Sequence, residues 1–167
     1  MADPLLQWFQ AVDADRSGSI DAQELQKALA LGNLNFSLTS VAHMIRIHDQ
    51  DHSGNISFPE FKQLHNFLTE LQQRFTGADV NRQGRLPLQT VQQLLNQTGY
   101  RLDQGAASSV LQAFDADRDG LLGLPEFIAI NLFMRSATAT FQAFDQQRRG
   151  AVTLDYNQFV YAASNVI

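Results

Sequence analysis

The chain of 167 residues contains no cysteine. That absence excludes a disulfide framework, a thiolate zinc site and a cysteine nucleophile. Basic residues are also scarce: 12 Lys and Arg, of which only two are lysine, stand against 17 Asp and Glu, leaving a net charge of -5. Without a basic excess there is no footprint for the phosphate backbone, so nucleic acid is not an expected partner. Long apolar runs are missing too. The most apolar stretch, Phe127 to Met134, is eight residues broken by Asn131, against the ~20 needed to span a bilayer. The first residues have neither a charged n-region followed by an apolar h-region nor a glycine after the methionine, and the expectation is a soluble, cytoplasmic protein. No phosphate-binding Gly-rich loop, Gly-x-Ser-x-Gly or His-Glu-x-x-His occurs, and an enzyme is not expected.

What is present is concentrated. Eleven of the 17 carboxylates fall in three twelve-residue windows, DADRSGSIDAQE from Asp13, DQDHSGNISFPE from Asp49 and DADRDGLLGLPE from Asp115. Such crowding is repulsive unless a cation relieves it. Each window carries oxygen side chains at positions 1, 3 and 5, glycine at 6, an aliphatic residue at 8 and glutamate at 12, the pattern of an EF-hand calcium loop. Calcium takes six to eight oxygens, which such a loop supplies from positions 1, 3 and 5, the carbonyl of 7, position 9 and a bidentate glutamate at 12. The candidate ligands are therefore Asp13, Asp15, Ser17, Ser19, Asp21 and Glu24 in the first loop; Asp49, Asp51, Ser53, Asn55 and Glu60 in the second; and Asp115, Asp117, Asp119, Leu121 and Glu126 in the fourth. Ser19, Asn55 and Leu121 enter through their carbonyls. The expected cofactor is Ca2+, with Mg2+ as its competitor.

Two weaker copies begin at Asp79 and Asp145, so loop starts fall at 13, 49, 79, 115 and 145, with spacings of 36, 30, 36 and 30. A 30-residue step leaves room for one uninterrupted helix that leaves one loop and enters the next. A 36-residue step adds the breakers Gly32 to Ser37 and Thr98 to Asp103. The spacing predicts eight helices, at 3–12, 22–31, 38–48, 58–78, 88–97, 104–114, 125–144 and 156–164, with apolar stripes at i, i+3 and i+4 that include Trp8, Phe9, Phe75, Phe114 and Phe141. The class is all-α, with short paired strands between loops. Ile20 should pair with Ile56 and Leu86 with Leu122, leaving Val152 without a partner in the chain.

The third loop lacks the bidentate carboxylate, having Gln83 at position 5 and Thr90 at 12, with Arg82 and Arg85 adding positive charge. The fifth has Gln147, Arg149 and Tyr156 at 3, 5 and 12. Both are expected to be silent. Charge count ranks the first and fourth loops above the second. His48 and His52 are four apart, but His52 lies past the helix end, so surface or packing roles are expected rather than a metal pair.

Five loops at this spacing, the motif Gly99-Tyr-Arg-Leu102 before the fourth hand and the apolar C-terminus resemble the penta-EF-hand family, over nearly the whole chain. The first hand looks like that of the programmed cell death 6 type. In that type, however, the first and third hands are the principal sites. The resemblance implies one domain over 1–167 with loops at 13–24, 49–60, 79–90, 115–126 and 145–158, the last lengthened by two residues because Phe159 comes two positions late. It also implies a cytosolic calcium sensor that pairs through its fifth hand as homodimer or heterodimer. Such a protein would expose an apolar surface with calcium, bind proline-rich or apolar protein segments, and associate reversibly with membranes. A calcium buffer, or a constitutive regulatory subunit of an enzyme complex, is the alternative.

Overall fold

The structure is a computed structural model describing residues 3–166. The domain limits expected at 1 and 167, and the terminal Ile167 of the apolar C-terminus, lie outside the described residues. Eight helices follow in order: α1 Pro4–Val12, α2 Ala22–Leu31, α3 Leu38–His48, α4 Phe58–Ala78, α5 Leu88–Gln97, α6 Gln104–Phe114, α7 Leu124–Phe144 and α8 Tyr156–Ser164. Two short strands, β1 Arg85–Pro87 and β2 Leu121–Gly123, pair antiparallel with Leu86 opposite Leu122. Ile20 and Ile56 form a bridge of two 2.8 Å backbone hydrogen bonds. All four of these position-8 side chains are buried.

Helix starts follow from local chemistry. Asp21, Ser37, Asp103 and Asp155 each accept the backbone N–H three residues on, satisfying a donor that has no partner inside the helix. Pro4, Pro59 and Pro125 sit in the first turn of their helices, where a missing N–H costs nothing. The 21-residue helices α4 and α7 are each continuous from one loop into the next. They pack together where Phe75, near the end of α4, meets Phe127, near the start of α7, at 5.7 Å between ring centroids.

The apolar run noted in the sequence becomes the middle of α7, with Phe127, Ile128, Ile130, Leu132 and Met134 all buried against α3, α4 and α6. A helix apolar nearly all round is one with neighbours on several sides. Its buried Asn131 is satisfied by donating to the Phe127 carbonyl at 2.8 Å. Two stripe residues are not buried as expected. Trp8 is 44% exposed, with its ring tilted by 60° to Phe61 and edge-on to His65, and Phe141 is 40% exposed. No helix among the described residues is long and apolar enough to cross a membrane.

Candidate metal centres

All five loops adopt one backbone form. The position-4 residues Arg16, His52, Arg82, Arg118 and Arg148 and the position-6 residues Gly18, Gly54, Gly84, Gly120 and Gly150 have positive φ, between 53° and 85°. In every loop the aspartate at position 1 accepts the N–H of the position-6 glycine, at 2.7 to 3.0 Å. In all but the fourth it also accepts the N–H of position 5. Asp79 and Asp145 thus hold the third and fifth loops in shape although neither loop has a carboxylate at positions 3, 5 or 12.

The first hand gathers Asp13, Asp15 and Glu24, and the second Asp49, Asp51 and Glu60, with one carboxylate oxygen of each within 4.8 Å of the others. The glutamates are placed by helix capping. Glu24 accepts from Asp21 N–H at the start of α2 and, with its other oxygen, from Ala14 N–H in the loop, at 3.0 and 2.8 Å. Glu60 does the same with Ser57 and Gln50. Ser17 and Ser53 hydroxyls donate to the position-7 carbonyls of Ser19 and Asn55, bringing both oxygens to the same side of the loop. Asp21 serves as the N-cap of α2 and stands outside the carboxylate trio.

Several carboxylates are primed to stay ionised. The N–H of Ser17 holds Asp15 below the usual carboxylate value, and that of Gly54 does so for Asp49. Burial works to raise Glu60, but the Ser57 hydroxyl and the Ser57 and Gln50 N–H groups outweigh it, and its pKa is lowered. Carboxylates, hydroxyls and carbonyls converging in this way fit a hard, oxygen-seeking divalent cation, and the lack of nitrogen or sulfur ligands argues against zinc.

The fourth hand is arranged differently from the first two. Its carboxylate trio is Asp115, Asp117 and Asp119, and Glu126, which accepts from Gly123 N–H at 3.0 Å, is not part of it. Arg85, from the third loop, reaches across the two-stranded ladder into this site. Its guanidinium donates to Asp119 at 2.5 and 3.1 Å, to Asp117 at 3.3 Å and to the Leu121 carbonyl at 3.0 Å. Counting acids within the loop therefore overstates its free negative charge. Buried Oδ1 of Asp115 has no hydrogen-bond partner, as suits an oxygen meant for a cation. The sequence signal for Arg85 was the strand pairing, since opposing Leu86 to Leu122 sets Arg85 against Gly123 at position 9.

In the fifth hand the capping pair is Asp155 and Gln158, two residues later than the homologous pair in the other hands, and the side chain corresponding to the closing glutamate is the neutral Gln158. No residue of α8 is buried, and Tyr156, Phe159, Val160 and Tyr161 are exposed. Val152 enters no bridge among the described residues. His48, expected at a surface or in packing, is buried, with Nδ1 2.9 Å from the Met44 carbonyl and Nε2 3.2 Å from Arg135. Because arginine only donates, Nε2 accepts and Nδ1 carries the proton.

Comparison with known proteins agrees with this geometry. The EF-hand domain pair matches residues 3–64, and a single EF hand matches 108–131. Human sorcin is 32% identical over 98% of this chain and 84% of its own length. Human grancalcin is 27% identical over 95% of this chain and 74% of its own. The solved structure of a homolog of programmed cell death 6 protein from Leishmania major Friedlin superposes with a TM-score of 0.74 at 32% identity, covering 99% of this chain and 95% of that one.

Proposed function

The chain belongs to the penta-EF-hand family of calcium-binding proteins, and from that premise we propose that it is a cytoplasmic calcium sensor and adaptor with no catalytic activity of its own. The observation that carries this reading is the pair of carboxylate trios in hands one and two, each closed by a glutamate that also caps an outgoing helix. Asp13, Asp15, Ser17, the Ser19 carbonyl and Glu24 would hold one ion, and Asp49, Asp51, Ser53, the Asn55 carbonyl and Glu60 a second. Asp115, Asp117, Asp119, the Leu121 carbonyl and Glu126 would hold a third. Bound calcium neutralises these trios and favours one position of the closing glutamate.

Because Glu60 and Glu126 sit in the first turns of α4 and α7, any shift at a loop is carried along a 21-residue rod into the neighbouring hand. An apolar pocket of about 200 Å³ lies where such a shift would be felt, lined by Trp8, Leu25, Leu29, Phe61, Leu64 and Leu68. It suits an apolar or proline-rich segment, for which a half-exposed tryptophan is a good anchor. The uncovered aromatic face of α8 supports dimerisation through the fifth hand.

The test is calorimetry and apolar-dye fluorescence during a calcium titration in a magnesium background. Three calcium equivalents and a saturable dye increase are expected. Glu24→Gln, Glu60→Gln and Glu126→Gln should each remove one equivalent. Calcium binding without a dye response would point to a buffer or permanently docked subunit, and absence of binding would overturn the reading.

A further inference from the structure

Resting on that reading for the identity of the ion, we infer that Arg85 is a tethered competitor of calcium: the silent third hand supplies the cation that sets the threshold of the fourth. The guanidinium makes four hydrogen bonds to three of the oxygen positions an ion would need, the carboxylates at 3 and 5 and the carbonyl at 7. A lone exposed ion pair would count for little. Here a planar fork grips Asp119 through two nitrogens and a carbonyl takes a further bond, which is the geometry that gives arginine its strength against carboxylates.

The fold places the guanidinium there. The β1–β2 register sets Arg85 opposite Gly123, at position 9 of the fourth loop. The carboxylate trio it approaches is Asp115, Asp117 and Asp119, without Glu126. The corresponding position-7 residues of the first pair, Ser19 and Asn55, carry no charge, so hands one and two have no equivalent competitor.

Arginine does not satisfy the site fully. The buried Oδ1 of Asp115 lies outside its reach and has no donor, so a divalent ion still gains a ligand the guanidinium does not use. The result is a displaceable plug. An arginine docked nine-tenths of the time lowers apparent calcium affinity roughly tenfold, because only the undocked fraction is competent. Hands one and two then fill first, and the fourth responds only at higher calcium.

The backbone N–H groups of Gly18, Gly54 and Gly120 each donate to the position-1 carboxylate of their loop, so their NMR signals read the three sites separately. With the full chain labelled with 15N and titrated with calcium, Gly18 and Gly54 are expected to respond first and Gly120 at about tenfold higher calcium or more. Arg85→Gln should bring Gly120 forward by a similar factor and leave Gly18 and Gly54 in place. Arg85→Met, which keeps an apolar stem on β1, should do the same should the glutamine variant disturb the strand pair.

Adding Glu126→Gln should abolish the gain. The proposal is overturned if Gly120 titrates alongside Gly54 in the unaltered protein. It is equally overturned if neither Arg85 variant moves Gly120, if the gain survives Glu126→Gln, or if Gly18 and Gly54 respond while Gly120 stays silent throughout. Silence of all three glycines would instead defeat the calcium-binding reading itself.

Discussion

Glycine at position 6 and aspartate at position 1 build the loops whether or not the remaining ligands are present. Gly84 shows this best, because it lies in a hand without a closing carboxylate. It has φ of 71°, and a Cβ added there would meet no atom within 4 Å. Any penalty on substitution is therefore conformational rather than steric. Gly84→Ala should cost about 1 kcal/mol of stability, the left-handed backbone penalty, without affecting calcium stoichiometry. Urea unfolding of the calcium-free protein measures it, and an unchanged midpoint would show that the third loop relaxes freely. The same residue-level chemistry explains the double use of glutamate at position 12. Glu24 and Glu60 are set near their aspartates by the capping bonds of α2 and α4 before any ion arrives.

Among the helices, α8 stands apart. A helix with no buried residue gains little from tertiary packing, and nine residues are too few for stability alone. Its one ring contact is Tyr161 with Phe144, at 6.4 Å between centroids. Tyr156 at 78% and Phe159 at 60% exposure are expected to be covered by a second copy or a related chain. Phe159→Asp should therefore convert a dimer to a monomer in sedimentation velocity while leaving calcium binding at hands one and two intact. A monomeric unaltered protein, or a variant that remains dimeric, would remove the fifth hand from the interface. By contrast, α7 is held on several sides, and its substitutions should affect folding rather than association.

Across the whole molecule, α3 and α7 are joined by two histidines whose protonation should matter. His43 contacts the Ser136 hydroxyl at 2.8 Å, and His48 accepts from Arg135. Burial lowers the pKa of both, and nearby Arg46 and Arg135 respectively push in the same direction. Each therefore binds its proton less tightly folded than unfolded. Their contribution to stability is complete above the ordinary histidine value of about 6.5 and is lost as pH falls from there through the lowered folded values. Thermal melts of the calcium-free protein should accordingly show lower midpoints at pH 5.5 than at pH 7.5. His43→Gln should shrink that difference, and an equal pH dependence in the variant would assign the effect elsewhere.

Element positions and strand pairing were readable along the chain because each depends on short-range features: a glycine at one place, an oxygen every second residue, an apolar residue every third or fourth. The two-residue lengthening of the fifth loop was legible in the same way, from the late arrival of Phe159. Burial was less so. Trp8 and Phe141 fit their stripes, yet whether a neighbour covers them depends on how separate helices cross. Arg85 is the sharpest case. Its own loop identifies it only as a charge in a poor calcium site, whereas the ladder brings it to Asp117 and Asp119, 32 and 34 residues away in sequence. Spacing can define a set of ligands, but which cation meets them first depends on contacts between loops that only folding brings together.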